Sequence, residues 1–195
     1  MGVHIVAIGG TTRPQSSTER ALQHALTAAE AQGATTRVFA GEELASLPMY
    51  APEDSERVPA AVGLVTELRR ADGIIIGSPA YHGSISGLVK NALDYTEDMR
   101  NDERPYFTGR AVGVVATGYG WQGVVATLQT LRQIVHALRG YPTPLGAGIN
   151  SLENVFGPDG SVVDEKAAFQ LATLGQEVVD LAASLKSAAA ATMPA

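Results

Sequence analysis

The chain has 195 residues, 45% hydrophobic and 17% charged, with a formal net charge of −6 and 14 basic residues scattered along it. That is long enough for one domain with a real core and too apolar for a disordered chain, and the lack of a basic face or stripe speaks against nucleic acid or an acidic membrane surface as partner. No cysteine is present, which removes disulfides, thiolate nucleophiles, iron–sulfur clusters and cysteine-ligated zinc together; with no signal-like start and no apolar run near the roughly 20 residues that span a bilayer, the expected location is the cytoplasm.

In chain order, Val3 to Ile8 is a short β-branched run closed by Gly9-Gly10 and predicts a buried strand. Ala21, Leu22, Ala25, Leu26 and Ala29 recur at helical spacing, with Gly33 where a C-cap is expected. Thr35 to Phe39 is a second strand. Residues 41–58 read as a polar, proline-containing connection, and Pro59 to Ala71 as a helix with its proline where the missing N–H costs little. Gly73 to Gly77 (Gly-Ile-Ile-Ile-Gly) is the central strand. Ser86 to Thr96 is the next helix, with Leu88, Ala92 and Tyr95 on one face and Ser84 or Ser86 as cap. A charged, aromatic loop spans Arg100 to Phe107. Ala111 to Thr117 is a buried strand, Val124 to Leu138 a long helix, and Pro142 to Gly148 a short last strand. Asp164 to Lys186 closes the chain as a helix, and the Ala-rich residues 187–195 are expected to fray. There is no repeat and no linker, so residues 1–190 are expected to form one domain. Strands alternating with helices predict an α/β fold, a doubly wound five-stranded parallel sheet of order 2-1-3-4-5 with helices on both faces. Ligands of such sheets bind beyond the C-terminal strand ends at the switch point, in the loops that follow strands one, three and four.

The first of these loops runs Gly9-Gly10-Thr11-Thr12-Arg13-Pro14-Gln15-Ser16-Ser17-Thr18 into a helix. Free N–H groups and the helix dipole favour an anion there, and hydroxyls and a guanidinium add donors. A phosphate monoester is the natural guest; taken alone, the segment is also an ordinary capped helix after a turn. It is not a P-loop, because Gly-x-x-x-x-Gly-Lys-Ser/Thr is absent. The second loop, Ser78-Pro79-Ala80-Tyr81-His82-Gly83-Ser84-Ile85-Ser86-Gly87, offers main chain, an aromatic ring and an imidazole to a flat heterocycle, or is a surface turn. It is no nucleophile elbow, since Ile85 stands at the middle of Gly83 to Gly87. In the third loop, Thr117-Gly118-Tyr119-Gly120-Trp121-Gln122-Gly123, the glycines satisfy Gly-x-Gly-x-x-Gly. The motif belongs to a first βαβ unit with an acidic residue about 20 positions on, whereas here it follows the fourth strand and residues 139–148 hold no Asp or Glu. It reads as a turn whose backbone can approach a ligand, with Trp121 as stacking lid or as core ring. His4, His24 and His136 read as structural or exposed.

Together these loops resemble the NADPH-dependent FMN reductase family over roughly residues 3–150. The family's phosphate loop, Gly-Ser-x-Arg-x-x-Ser-x-Asn/Ser/Thr, stands here as Gly10-Thr11-Thr12-Arg13-Pro14-Gln15-Ser16-Ser17-Thr18, with Thr11 in place of Ser. A second motif, Pro-x-Tyr-x-x-Ser-x-x-Gly-x-x-Lys-Asn-x-x-Asp, is matched by Pro79, Tyr81, Ser84, Gly87, Lys90, Asn91 and Asp94. Many members carry consecutive glycines where this chain carries Tyr119 and Trp121.

The resemblance implies a flavodoxin-like fold, bound FMN, and hydride transfer from NAD(P)H to FMN and on to a flavin, quinone or similar small-molecule acceptor, or to a partner flavin-dependent monooxygenase. By the same resemblance, Thr11, Arg13, Ser16, Ser17 and Thr18 hold the phosphate. Pro79, Ala80, Tyr81, His82 and Gly83 line one side of the ring, and Thr117, Gly118, Tyr119, Gly120 and Trp121 its pyrimidine edge. A homodimer or homotetramer is implied too, with residues near Asp94 to Phe107 against another chain. No catalytic side chain and no metal is expected. Two other readings stay open, a flavodoxin-type carrier that binds FMN without using NAD(P)H and a scaffold that has lost flavin.

Overall fold

Residues 2–192 are described by a computed structural model. Strands β1 (His4–Gly9), β2 (Thr35–Phe39), β3 (Gly73–Pro79), β4 (Ala111–Gly118) and β5 (Tyr141–Asn150) pair in parallel in the order β2-β1-β3-β4-β5. The helices are α1 (Ser17–Ala31), α2 (Gly41–Ala45), α3 (Pro59–Arg70), α4 (Gly87–Asp94), α5 (Trp121–Ala137) and α6 (Glu165–Thr192), with a 3₁₀ turn at Tyr95–Met99. Every residue of β3 is buried, as expected of a central strand covered on both faces, and this is why it reads as an unbroken apolar run.

The side-chain period of two splits the core into two layers. Val6, Ile8, Ile74, Ile76, Val112 and Val114 face α3, α4 and α5, meeting Leu64, Leu68, Val89 and Leu131. Ile5, Ala7, Ile75 and Val115 face α1 and α6, meeting Leu22, Leu26, Leu171, Leu174 and Val178. The second layer is tight. A methyl placed on Gly175 of α6 would sit 2.2 Å from the Ala25 carbonyl oxygen of α1, so any side chain there would force the two helices apart.

The five strands and their order agree with the expectation, while several boundaries differ. The connection 41–58 contains α2, whose five residues are too few to show a helical period. This connection is anchored by Asn91 of α4, which accepts from Tyr50 N–H at 2.8 Å and donates to Pro48 O at 2.8 Å. Arg57 forks onto Asp98 through two 2.8 Å hydrogen bonds and lies over the Tyr50 ring at 4.8 Å; its donation holds the Asp98 carboxyl below the usual carboxylate range. The predicted helix Ser86 to Thr96 ends as α-helix at Asp94 and tightens into the 3₁₀ turn, and Ser86, not Ser84, caps it by accepting from Val89 N–H. Helix α5 starts three residues earlier than expected, at Trp121. Strand β5 extends beyond both expected ends, with Pro142 and Pro144 on the exposed sheet edge where a missing donor is tolerated. Helix α6 runs through the alanines to Thr192, where high helix propensity carries it; residues 193–195 of the expected tail lie outside the described residues.

The charged loop after the 3₁₀ turn is wound around a buried cation. Arg110 is 1% exposed. Its Nη1 donates to the carbonyls of Tyr106 (2.9 Å), Thr108 (3.3 Å) and Arg104 (3.4 Å), and its Nη2 to that of Arg69 (2.9 Å). Burial pushes its pKa down to about 10, so it remains charged at neutral pH. Around it Arg69 pairs with Asp102 and the Tyr106 hydroxyl donates to Glu97, while Arg110 Nε and the buried Thr108 hydroxyl find no partner among the described residues.

Candidate functional site

The loops after β1, β3 and β4 meet at the C-terminal edge of the sheet around one cavity of about 250 Å³. Close backbone approach makes this possible. A Cβ on Gly9 would lie 2.1 Å from the Gly77 carbonyl oxygen, and one on Gly118 would lie 2.9 Å from the Ala80 Cβ. Both glycines stand at strand ends, where a side chain would pry the loops apart.

The β1 loop supplies Thr11, Thr12, Arg13, Ser16, Ser17 and Thr18 to the wall. Ser16 is the N-cap of α1, its Oγ accepting from Glu19 N–H at 3.3 Å. Glu19 reaches back to accept from Gln15 N–H at 2.9 Å, a capping pair that sets the turn and holds Gln15 at a φ of 52°. The N–H groups of Ser17 and Thr18, in the first turn of α1, find no acceptor among the described residues, and the exposed Arg13 guanidinium makes no ion pair with any of them. The Thr18 hydroxyl is committed elsewhere, at 2.6 Å from that of Thr117, both buried under the cavity floor.

From the β3 loop come Pro79, Ala80 and Tyr81. Ala80 N–H is spent on Thr117 O at 2.7 Å, so Pro79 and Ala80 present apolar surface. Tyr81 closes a small turn with Ser84, and the two residues inside it, His82 and Gly83, are exposed at φ of 51° and 82° and lie off the cavity wall. From the β4 loop, Thr117, Gly118 and Tyr119 line the cavity, whereas Gly120 and Trp121 do not. Gly120 N–H is taken by Asn150 Oδ1 at 3.0 Å. Trp121 Nε1 donates to Glu153 at 3.0 Å, and its ring borders a separate cleft of about 140 Å³ beside Lys166 and Gln170.

Sequence reasoning passed over the loop after β5. Ser151 lines the cavity, and its N–H donates to Gly118 O at 2.8 Å. Asn150 is the organiser of this loop: besides Gly120 N–H it accepts from Leu152 N–H, and its amide donates to Glu153 at 2.9 Å. The available signal was positional, since β5 neighbours β4 in the expected order and so ends at the same edge. Asn150→Ala is expected to cost about 1 kcal/mol by removing the acceptor of the half-buried Gly120 N–H, read as a lowered urea midpoint with an unchanged slope. Lys90, Asn91 and Asp94 of the long motif stand away from the cavity; Lys90 pairs with Asp94 at 2.5 Å and Asn91 holds the connection described above.

A family model, NADPH-dependent FMN reductase, matches residues 3–151. The chain belongs to this family. Membership makes it an NAD(P)H:FMN oxidoreductase, with FMN as cofactor and NAD(P)H as hydride donor. Among its relatives is the NAD(P)H-dependent FMN reductase of Pseudomonas aeruginosa, 27% identical over 169 residues, which are 85% of this chain and 87% of that protein. The FMN-dependent NADPH-azoreductase of Staphylococcus aureus is 35% identical over 103 residues, 52% of this chain and 50% of that protein. In fold, this FMN reductase family member resembles the flavoenzyme NAD(P)H:(acceptor) oxidoreductase of Paracoccus denitrificans, with a TM-score of 0.77, 20% identity, and 93% and 98% of the two chains covered. The flavodoxin-like expectation is thereby met. Among the described residues no helix is long and apolar enough to cross a membrane, and no cluster of metal-ligating side chains is found.

Proposed function

We propose that this cavity holds FMN and that the chain reduces a small-molecule acceptor, a flavin or quinone, at the expense of NAD(P)H. The observation that carries the reading is the set of uncommitted donors at the N-terminus of α1: the Ser17 and Thr18 amides without an acceptor and an Arg13 without a carboxylate, placed where the helix dipole favours an anion. Such donors fit a dianionic phosphate monoester. Bound there, FMN would supply the hydride chemistry between NAD(P)H and the acceptor.

The chain's own residues bind and orient. Arg13 would hold the phosphate with its planar fork, and Thr11, Ser16 and Ser17 would add hydroxyls. Thr18 acts through its amide, because its hydroxyl is bonded to Thr117. Pro79 and Ala80 give an apolar stretch of wall, and Tyr119 N–H, with no acceptor among the described residues, would stabilise negative charge at the pyrimidine edge. His82, Gly83, Gly120 and Trp121 belong to the same loops and stand off the cavity wall.

A homodimer or homotetramer in the cytoplasm, delivering electrons to free acceptors or to a flavin-dependent monooxygenase, belongs to the same reading. The test is direct. Purified protein titrated with FMN is expected to shift and sharpen the flavin absorbance bands, and the loaded protein to oxidise NADH or NADPH when a quinone is added. A protein that leaves the FMN spectrum unmoved would overturn the reading; one that binds FMN but ignores both nucleotides would be a carrier instead.

A further inference from the structure

The third loop carries a side chain that neither the fold nor the phosphate site uses. Tyr119 lines the cavity yet is 76% exposed, and its hydroxyl has no partner among the described residues. The backbone beneath it is pinned on both sides. Ser151 N–H holds Gly118 O at 2.8 Å and Asn150 holds Gly120 N–H at 3.0 Å, while Gly118 packs against Ala80 too closely for a side chain. Tyr119 is therefore an exposed ring on a fixed base. The same cavity is lined by Tyr81, two residues beyond the neighbouring strand β3 and 54% exposed. Trp121, the other aromatic of the turn, is held away by Glu153.

A solvated aromatic ring held at a cavity mouth by a rigid turn gives nothing to folding stability. Its favourable contact surface is realised when a flat partner covers it. That partner has to come and go, because a permanent one would leave no access. Resting on the FMN reading above, we infer that Tyr119 is a specificity-determining residue for the acceptor, stacking on planar acceptors of two or more rings, with Tyr81 as the second exposed ring lining the cavity. The class favoured is the fused-ring quinone over the compact single-ring quinone. The chemistry balances: the quinone takes two electrons and two protons to become the hydroquinone, the hydride coming from NAD(P)H and the second proton from water, leaving NAD(P)⁺.

The test compares wild type, Tyr119→Ala and Tyr119→Phe, all loaded with FMN. Three quantities are read: the FMN dissociation constant, the Kd of a non-reducible hydroxycoumarin followed by its fluorescence, and the ratio of kcat/KM for a naphthoquinone to that for p-benzoquinone. Stacking on one aromatic ring corresponds to a factor of roughly 3–10. Tyr119→Ala is expected to lower the ratio and weaken the coumarin by that factor, chiefly through KM. Tyr119→Phe is expected to restore both, since the ring and not the hydroxyl does the binding. An unchanged ratio in Tyr119→Ala, or an equal fall in Tyr119→Phe, overturns the inference. So does a loss of FMN affinity in Tyr119→Ala as large as the loss of naphthoquinone selectivity, which would put the ring on the cofactor. Failure of the wild type to bind FMN overturns the functional reading and this inference with it; normal FMN binding with a flat ratio overturns this inference alone.

Discussion

Arg13→Ala is expected to weaken FMN binding by roughly 10- to 100-fold, the range for losing hydrogen bonds to a charged group, and to leave riboflavin binding unchanged. The reasoning rests on isolation. Arg13 has no carboxylate partner among the described residues, so its removal breaks no internal contact and orphans no buried group. It subtracts only what the guanidinium does for an incoming anion. Calorimetric titration with both flavins separates the outcomes. An equal loss for the two would remove the phosphate role, and no loss for either would move the phosphate elsewhere. Added salt should narrow the gap between wild type and variant, because the contact is exposed and screened. Arg13→Lys should recover part of the affinity, keeping the charge and losing the fork.

The largest effect on stability is expected at Arg110, far from the cavity. Arg110→Ala removes the donor that satisfies the carbonyls of Arg69, Arg104, Tyr106 and Thr108 and leaves a void where a fully buried side chain stood. The carbonyls lose their donor and the fully buried side chain leaves a cavity, so a total of roughly 3–5 kcal/mol is expected even after the loop relaxes. That is a large share of the about 5–15 kcal/mol that holds a domain together. Urea unfolding should show it, with Arg110→Lys in between because an ammonium can reach some of the carbonyls. A loss below about 1 kcal/mol, the size of an ordinary surface change, would show that the loop 100–109 does not depend on its cation.

The contrast between these two arginines shows what the sequence could disclose. Arg13 sits in a run of hydroxyls between a strand and a helix, and local chemistry alone marks it. Arg110 sits one residue before a strand, and nothing in its neighbours' types reveals that it gathers three carbonyls of the loop before it and that of Arg69, 41 positions away. The strands were legible for the same reason: Gly73 to Gly77 carries its burial in its own composition. The short α2 was not, because five residues cannot display a period, and the early start of α5 at Trp121 was masked by the glycines around it. At the site, the donors of the first loop could be read from residue types. Whether each was free could not, since the Thr18 hydroxyl is spent on Thr117, 99 positions away, and Gly120 N–H on Asn150. The third loop looked like a uniform glycine turn, yet the structure divides it. Tyr119 faces the cavity and Trp121 faces away, and the divider is Asn150 with Glu153, residues in a loop that carries no motif.

The close crossing of α1 and α6 at Gly175 reaches as far as the anion site. Residues 3–151 carry the family likeness, and α6 lies wholly beyond them. Yet Leu171, Leu174 and Val178 are fully buried against the sheet, and Gly175 lets the backbone of α1 rest on α6 with no side chain between them. The helix whose first turn presents the Ser17 and Thr18 amides is thus buttressed from behind by the final stretch of the polypeptide. A version of the chain ending at residue 151 would bare the part of the sheet face that α6 covers and take away the support behind α1.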